Sequence, residues 1–245
     1  MIVRTRGAAR VVFTDRRGGV SAPPYESANL ADHVGDDTPA VIRNRAHLAD
    51  RAGLANPAQW VWLCQVHGDE VVVCHRPSGT EPGFRSGTEP VADAAVTAVP
   101  GLPLVILTAD CAPLALIGDT GVAAVHAGWA GLELGVVERA ADALRAVSPG
   151  PVHAILGPCI RPCCYEFGAD LLARVADRFG DAVVARTTSG APALDIPAAV
   201  RAALEHVGID ELDDVGVCNA TSPDYFSYRR DGITGRQAML VVLEP

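Results

Sequence analysis

The chain has 245 residues, of which 49% are hydrophobic and only 5% aromatic, enough for a large core built from Ala, Val and Leu. Its 29 acidic residues against 20 basic ones give a net charge of −9, which opposes a phosphate-tracking surface and argues against a nucleic-acid partner. All 20 basic residues are arginine, so Schiff-base catalysis, lysine-bound pyridoxal phosphate and the P-loop lysine are excluded for want of a primary amine.

In chain order, ARVVFT is the first strand candidate, followed by the turn-rich DRRGGVSAPPYESANLADHVGDD, read as a site-forming loop. Asp36-Asp37-Thr38-Pro39 supplies a cap and a first-turn proline for a helix that carries to Ala52 and stops at Gly53. Val41, Arg45 and Leu48 share one stripe of that helix, so the Arg45 guanidinium faces the core and needs an anion or carbonyls, from a ligand or from the fold. Residues 60–66 and 71–74 read as strands around a His67-Gly68 turn, and 76–90 as a Gly/Pro/Ser loop, either a lid or simple disorder.

Strands follow at 104–107, 114–117 and 122–126, and GWAGLELGVVERAADALRAVSPG begins a helix that ends at Ser148-Pro149-Gly150. VHAIL is a strand leading into GPCIRPCCYEFG, helices are expected at 168–178 and 196–207, and VGVCNAT is a further strand. DYFSYRRDGITGRQAMLVVL reads as a hairpin around Asp231-Gly232. Several neighbouring strands look antiparallel, which favours α+β layers in one domain, 1–245, over a doubly wound sheet. Neither GxGxxG opening a helix nor GxxxxGK[ST] occurs, so dinucleotide and P-loop readings have no support. The seven cysteines, an odd number without a short disulfide framework, suggest a reducing compartment. No apolar run reaches the roughly 18 residues that span a bilayer. A soluble cytoplasmic protein with no membrane partner is expected.

Three apolar runs each end in a metal-capable residue: WVWLCQVHG in His67, LPLVILTADC in Cys111 and GVAAVHAGW in His126. Singly, each is more often a satisfied core residue, but two imidazoles and a thiolate at successive strand ends form an open zinc site lacking a fourth ligand. Asp110 is a candidate proton carrier, weakened because strand neighbours point to opposite faces. A Cys–His nucleophile of Cys111 with His126 or His67 is the rival enzyme reading. Copper is the alternative ion, with Met239 as an axial ligand, although seven His and no His-x-His are too few for a multicopper site. A non-catalytic zinc or nucleotide-binding module would draw a fourth ligand from Cys159, Cys163 or Cys164. Tyr165-Glu166 and Arg229-Arg230 line a pocket or face solvent, the second being favoured.

The strings FTDRRGGVSAPPYESANLADHVGDD, CQVHG, TADCAPL, HAGWAGL, GPCIRPCCYEFG and FSYRRDGITGR run nearly end to end. Together they resemble the laccase-domain family once called multicopper polyphenol oxidases and also described as peptidoglycan editing factors. The resemblance implies a four-layer α/β/β/α sandwich with two mixed sheets, and zinc held by His67, Cys111 and His126. It also implies phosphorolysis of adenosine, inosine, guanosine and S-methyl-5′-thioadenosine, with deamination of adenosine. The partners are then purine nucleosides and phosphate, with Arg45 and Asn29 carried over as substrate-binding residues. Editing of cell-wall precursors stands as a rival role, and monomer and homodimer are equally compatible with the sequence.

Overall fold

Strands β5 (Leu104–Thr108), β6 (Ala112–Ile117), β7 (Val122–Ala127) and β12 (Gln237–Leu243) are buried residue by residue. Both faces of each are covered, and for that reason they read as continuous apolar runs. The computed structural model describes residues 1–54, 56–75 and 89–245; most of the loop expected at 76–90 lies outside the described residues. β1 (Ile2–Arg6), β2 (Ala9–Phe13), β12 and β5 form a four-stranded antiparallel sheet in the order β1-β2-β12-β5. The second sheet is six-stranded and mixed, ordered β11 (Leu212–Asp214), β8 (His153–Leu156), β6, β7, β4 (Ala94–Thr97), β3 (Val71–Cys74), with its two outer pairs parallel. β9 (Val184–Arg186) and β10 (Pro192–Leu194) make a small antiparallel pair.

Side-chain parity sorts the layers. In β7, Val122 and Ala124 pack between the sheets with Phe13, Ile106 and Met239. Ala123 and Val125 face the other way, into a cluster with Val137 and Ala140 of α3 (Val136–Val147), Val175 of α4 (Ala169–Phe179) and Val200 of α5 (Ile196–His206). On the outer face of the small sheet, Val12, Val105 and Leu240 meet Leu48 and Ala49 of α1 (Thr38–Ala52), with Trp60 and Trp62 beside them. The order is helices, large sheet, small sheet, helix, the expected α+β sandwich. α1 has the expected ends: the Asp37 side chain accepts from the Ala40 amide, and Gly53 closes the helix in the left-handed region.

Four local expectations are corrected. Residues 60–66 are not a strand; Val61 and Cys64 make only isolated bridges, to Leu104 and Val91. The helix after β7 is two helices, α2 (Trp129–Leu134) and α3, broken at Gly135, whose φ of 98° only glycine adopts cheaply. VGVCNAT is irregular and holds one bridge, Cys159 to Cys218, the strand lying earlier at β11. The supposed C-terminal hairpin is a one-turn helix, α6 (Tyr228–Asp231), leading into β12, because the Ser227 side chain caps the Arg230 amide and Gly232 ends the turn.

Candidate metal centre and cleft

β5 ends at Thr108 in the small sheet and β6 starts at Ala112 in the large one, so residues 109–111 cross between the sheets. The Thr108 hydroxyl donates to the Cys111 carbonyl (2.6 Å) and fixes that crossing. Continuing the parity of β6 and β7 puts Cys111 and His126 on the inter-sheet face, at the open end of the seam. A Cβ at Gly128 would meet His67 Cδ2 at 2.9 Å and Cys111 Sγ at 3.3 Å, so glycine there lets the two ligands close up.

His67 arrives on a loop, which sequence periodicity mistook for a strand end. Its amide, with those of Val66 and Gly68, donates to the carboxylate of Asp93 at 2.9, 3.1 and 2.7 Å. Wrapping the loop round one anion holds His67 at a φ of 60°. Gln65 adds a second pin, its side chain exchanging two 2.8 Å hydrogen bonds with the backbone of Leu107. Asp93 is wholly buried, and its fourth donor is His126 Nδ1 at 2.8 Å. An ionised carboxylate can only accept, so Nδ1 carries a proton and Nε2 is the atom turned to Cys111, donating to its sulfur when protonated and offering its lone pair to an ion when not. Burial pushes the Asp93 carboxyl up, but His126 and the loop amides outweigh it and hold it below the usual range.

The ligands polarise one another. Burial raises the Cys111 thiol, yet His126 and His67 overcome it and bring it to about 6. Burial lowers His126, while Cys111 and Asp93 raise it to about 9. The three ligand atoms lie within 4.8 Å of one another, and Cys111 Sγ stands 3.6 Å from His67 Nε2. A sulfur and a nitrogen on one tetrahedral zinc stand about 3.5 Å apart, so the donor set fits a metal ion. No fourth His, Cys, Asp or Glu among the described residues joins the set. Cys163 and Cys164 instead form a separate group with Cys218, and Met239 is wholly buried in the inter-sheet core.

The centre opens into a cleft of about 380 Å³. Asp110, Trp129, Tyr165, Arg229 and Arg236 line it. Asp110 is not in a strand: with a φ of 114° it turns into the same cleft as Cys111, which removes the objection from strand alternation. One of its oxygens accepts from the Arg229 amide (2.7 Å), and the other is buried without a partner. Burial raises the Asp110 carboxyl above its usual range, against the pull of Arg229 and Arg230. Tyr165 and Phe167 make an edge contact, Phe167 does the same with Trp129, and the Arg229 guanidinium lies 5.0 Å over the Tyr165 ring.

The structure does not bring Arg45 and Asn29 into this cleft. Arg45 lies over Trp62 (4.0 Å), donates to the Leu30 carbonyl (2.9 Å), pairs with Asp32 (3.5 Å), and lines a different cleft. Asn29 is wholly buried and acts on the backbone, its oxygen accepting from the amides of Ala31 (3.0 Å) and Arg236 (2.8 Å). It therefore sets where Arg236 begins. Arg236 was missed in the sequence, although it closes the string ITGR. Its guanidinium donates to the carbonyls of Thr234 and Gly235 and has no carboxylate partner among the described residues. Burial lowers its affinity for a proton, and Cys111 and Asp110 push back. Asp93 was also missed; its signal is a lone carboxylate opening the apolar run ADAAVTAV.

No helix among the described residues is long and apolar enough to cross a membrane. The chain is 44% identical over 244 residues to a Streptomyces coelicolor protein named purine nucleoside phosphorylase, the alignment covering 98% of each. It is 41% identical to a Mycobacterium bovis protein of the same name, over 96% of this chain and 92% of that one. The crystal structure of a Neisseria meningitidis protein superposes with a TM-score of 0.86 at 32% identity, covering 100% and 99% of the two chains. YlmD from Geobacillus stearothermophilus gives 0.88 at 27%, covering 97% and 93%. A family model described as multi-copper polyphenol oxidoreductase laccase matches residues 10–244. With six ordered motifs, the four-layer fold and these matches in agreement, the chain belongs to that family.

Proposed function

We propose that the chain is a zinc-dependent purine nucleoside phosphorylase acting on adenosine, inosine, guanosine and S-methyl-5′-thioadenosine, with adenosine deamination in the same cleft. The names of the relatives support the substrate class. The observation that carries the reading is Arg236, a half-buried guanidinium without a carboxylate partner among the described residues, lining the cleft that holds His67, Cys111 and His126. Partly desolvated and held only by the carbonyls of Thr234 and Gly235 among the described residues, it suits a phosphate oxyanion better than Arg45, whose guanidinium already has the Asp32 carboxylate.

A zinc ion held by His67, Cys111 and His126 would supply a Lewis-acidic centre at the base of the cleft. Arg236 holds phosphate beside the ribose, while Trp129 and Tyr165 offer aromatic surface to the purine. A phosphate oxygen bonds to the anomeric carbon as the bond to purine N9 breaks and its electron pair passes to the base. Asp110, whose carboxyl burial raises above its usual range, is placed to donate a proton to the departing purine. In deamination a water adds to purine C6, ammonia leaves, and the same acid serves the departing amine. The seven free thiols support a reducing, cytoplasmic setting.

The depressed Cys111 thiol beside His126 favours one second reading, a Cys–His hydrolase. Inosine and adenosine, each with and without phosphate, separate the readings when products are resolved by chromatography. Phosphate-dependent release of base and ribose 1-phosphate, abolished by chelation and in Cys111→Ala, is expected. Turnover that survives exhaustive chelation would support the hydrolase, and no purine product at all would sink the nucleoside reading.

A further inference from the structure

Outside the cleft, the sulfurs of Cys163, Cys164 and Cys218 lie within 4.8 Å of one another. Cys163 Sγ is 3.5 Å from Cys164 Sγ and 3.8 Å from Cys218 Sγ. Three thiolates about 2.3 Å from one ion stand about 3.8 Å apart in a tetrahedral set and about 4.0 Å apart in a trigonal one. From this geometry we infer a second metal site, in which Cys163, Cys164 and Cys218 bind one cuprous ion as a trithiolate.

The backbone is already arranged for it. Cys159 bridges to Cys218, with the Cys159 amide on the Val217 carbonyl (3.3 Å) and the Asn219 amide on the Cys159 carbonyl (3.1 Å). That pairing brings Cys218, 54 or more residues along the chain, beside the turn carrying the other two thiols. The turn is closed by the Cys164 amide on the Arg161 carbonyl (3.0 Å), and Arg161 forks onto Asp214 at 2.7 and 2.5 Å. The Cys163 carbonyl accepts from both the amide and the hydroxyl of Thr188. Ligands held this way need little reorganisation to share an ion.

Burial raises all three thiols; at Cys218 the amides of Arg161, Thr221 and Ala220 outweigh it and lower its proton affinity, while Cys163 and Cys164 stay raised and give up their protons only as the ion binds. The Arg230 guanidinium, held on the carbonyls of Asn219 (3.0 Å) and Ser222 (2.9 Å), adds positive charge near Cys218. The three cysteines are half-buried, which leaves an approach for the ion. The choice of metal follows from donor type and number: soft thiolates select cuprous copper and zinc, and a structural zinc takes four ligands. Cys159, the nearest further cysteine in sequence, is fully buried and outside the cluster. Three thiolates complete a trigonal cuprous ion. Bound there, it would clamp the 159–164 turn to the 218–222 loop and stiffen the wall that presents Tyr165 and Arg229.

The test uses the full chain carrying Cys111→Ala, which removes the thiolate of the central site. Anaerobic titration with cuprous ion against a chromophoric chelator should give one tight equivalent, and X-ray absorption should show a sulfur-only shell. Adding Cys163→Ser and Cys218→Ser should weaken binding at least 100-fold with an unchanged circular dichroism spectrum. Should that variant fail to fold, alkylation of the Cys111→Ala protein decides: cuprous ion should protect Cys163, Cys164 and Cys218 while exposed Cys64 reacts. Equal binding by the two variants, nitrogen donors in the shell, no protection, or retention of zinc in preference to copper would each overturn the assignment. So would a Cys163–Cys218 disulfide that takes up no metal after reduction.

Discussion

Replacing Asp93 with Asn keeps the volume and removes half of the acceptors at the point where two ligands are held. The carboxylate accepts from His67 N (2.9 Å) and His126 Nδ1 (2.8 Å) on one oxygen and from Val66 N (3.1 Å) and Gly68 N (2.7 Å) on the other. An amide that keeps its oxygen on the first pair turns its NH₂ towards the second pair, donor against donor. Each unsatisfied donor costs about 1–3 kcal/mol, so metal-free Asp93→Asn should lose about 2–6 kcal/mol of stability. Loss of a carboxylate behind a metal-binding histidine typically lowers metal affinity about 10–100-fold. The assays are urea unfolding of the metal-free protein and zinc competition against a chromophoric chelator. Zinc bound with wild-type affinity by Asp93→Asn would refute the claim that this carboxylate orients the ligands, whatever happens to stability. Unchanged stability would refute the claim that it shapes the His67 loop.

Gly128→Ala forces a Cβ to within 2.9 Å of His67 Cδ2 and should loosen the centre, lowering zinc affinity about tenfold or more while the circular dichroism spectrum is kept. Arg236→Gln should raise the KM for phosphate at least tenfold and leave the KM for nucleoside within about twofold; equal effects on both would remove the phosphate role. Arg45→Gln should leave both constants within about twofold, since its guanidinium is committed to Asp32 and Leu30. Asp214 is held below the usual carboxylate range, the Arg161 fork outweighing its burial. A depressed folded-state carboxyl stabilises fully above its unfolded value of about 3.9 and loses that contribution as pH falls through the folded value. Asp214→Asn should therefore cost about 1.5–3 kcal/mol at pH 7 and progressively less below pH 4, read by urea midpoints across that range.

The layers were legible because burial on two faces writes itself as unbroken apolar runs, and β5, β6, β7 and β12 are such runs. α1 was legible to the residue because capping is local chemistry: Asp37, Pro39 and Gly53 act within one turn of themselves. The errors fall where a distant partner decides the backbone. CQVHG has strand-like composition, but Asp93, 25 to 27 residues away, takes its amides and bends it into a loop. RRDG looks like a hairpin turn until Ser227 caps it and Arg230 gathers the carbonyls of Asn219, Ser222 and Tyr225. Arg45 and Arg236 could not be ranked from sequence, because which guanidinium is left without an acid depends on where Asp32 lies.

The position of the centre follows from how the two sheets are joined. The chain must leave the small sheet after Thr108 and enter the large one at Ala112, and a crossing of three residues leaves no room for a regular turn. Asp110 takes the left-handed φ that this requires, at a cost of order 1–3 kcal/mol for a non-glycine residue. Its neighbour Cys111 is thereby delivered to the inter-sheet face opposite Gly128, beside His126. The Asp110 amide group is not left loose either: its carbonyl accepts from Ile160 (2.8 Å) and its side chain from Arg229 (2.7 Å), tying the crossing to both walls of the cleft. A glycine at position 110 would relieve the backbone and lose the acid together. Asp110→Gly should accordingly be more stable than Asp110→Ala by about 1–3 kcal/mol, with kcat for base release reduced in both and in Asp110→Asn. If Asp110→Asn, which keeps the hydrogen bond to Arg229, retained full kcat, the carboxyl would be a strut for the crossing and not the acid of the reaction.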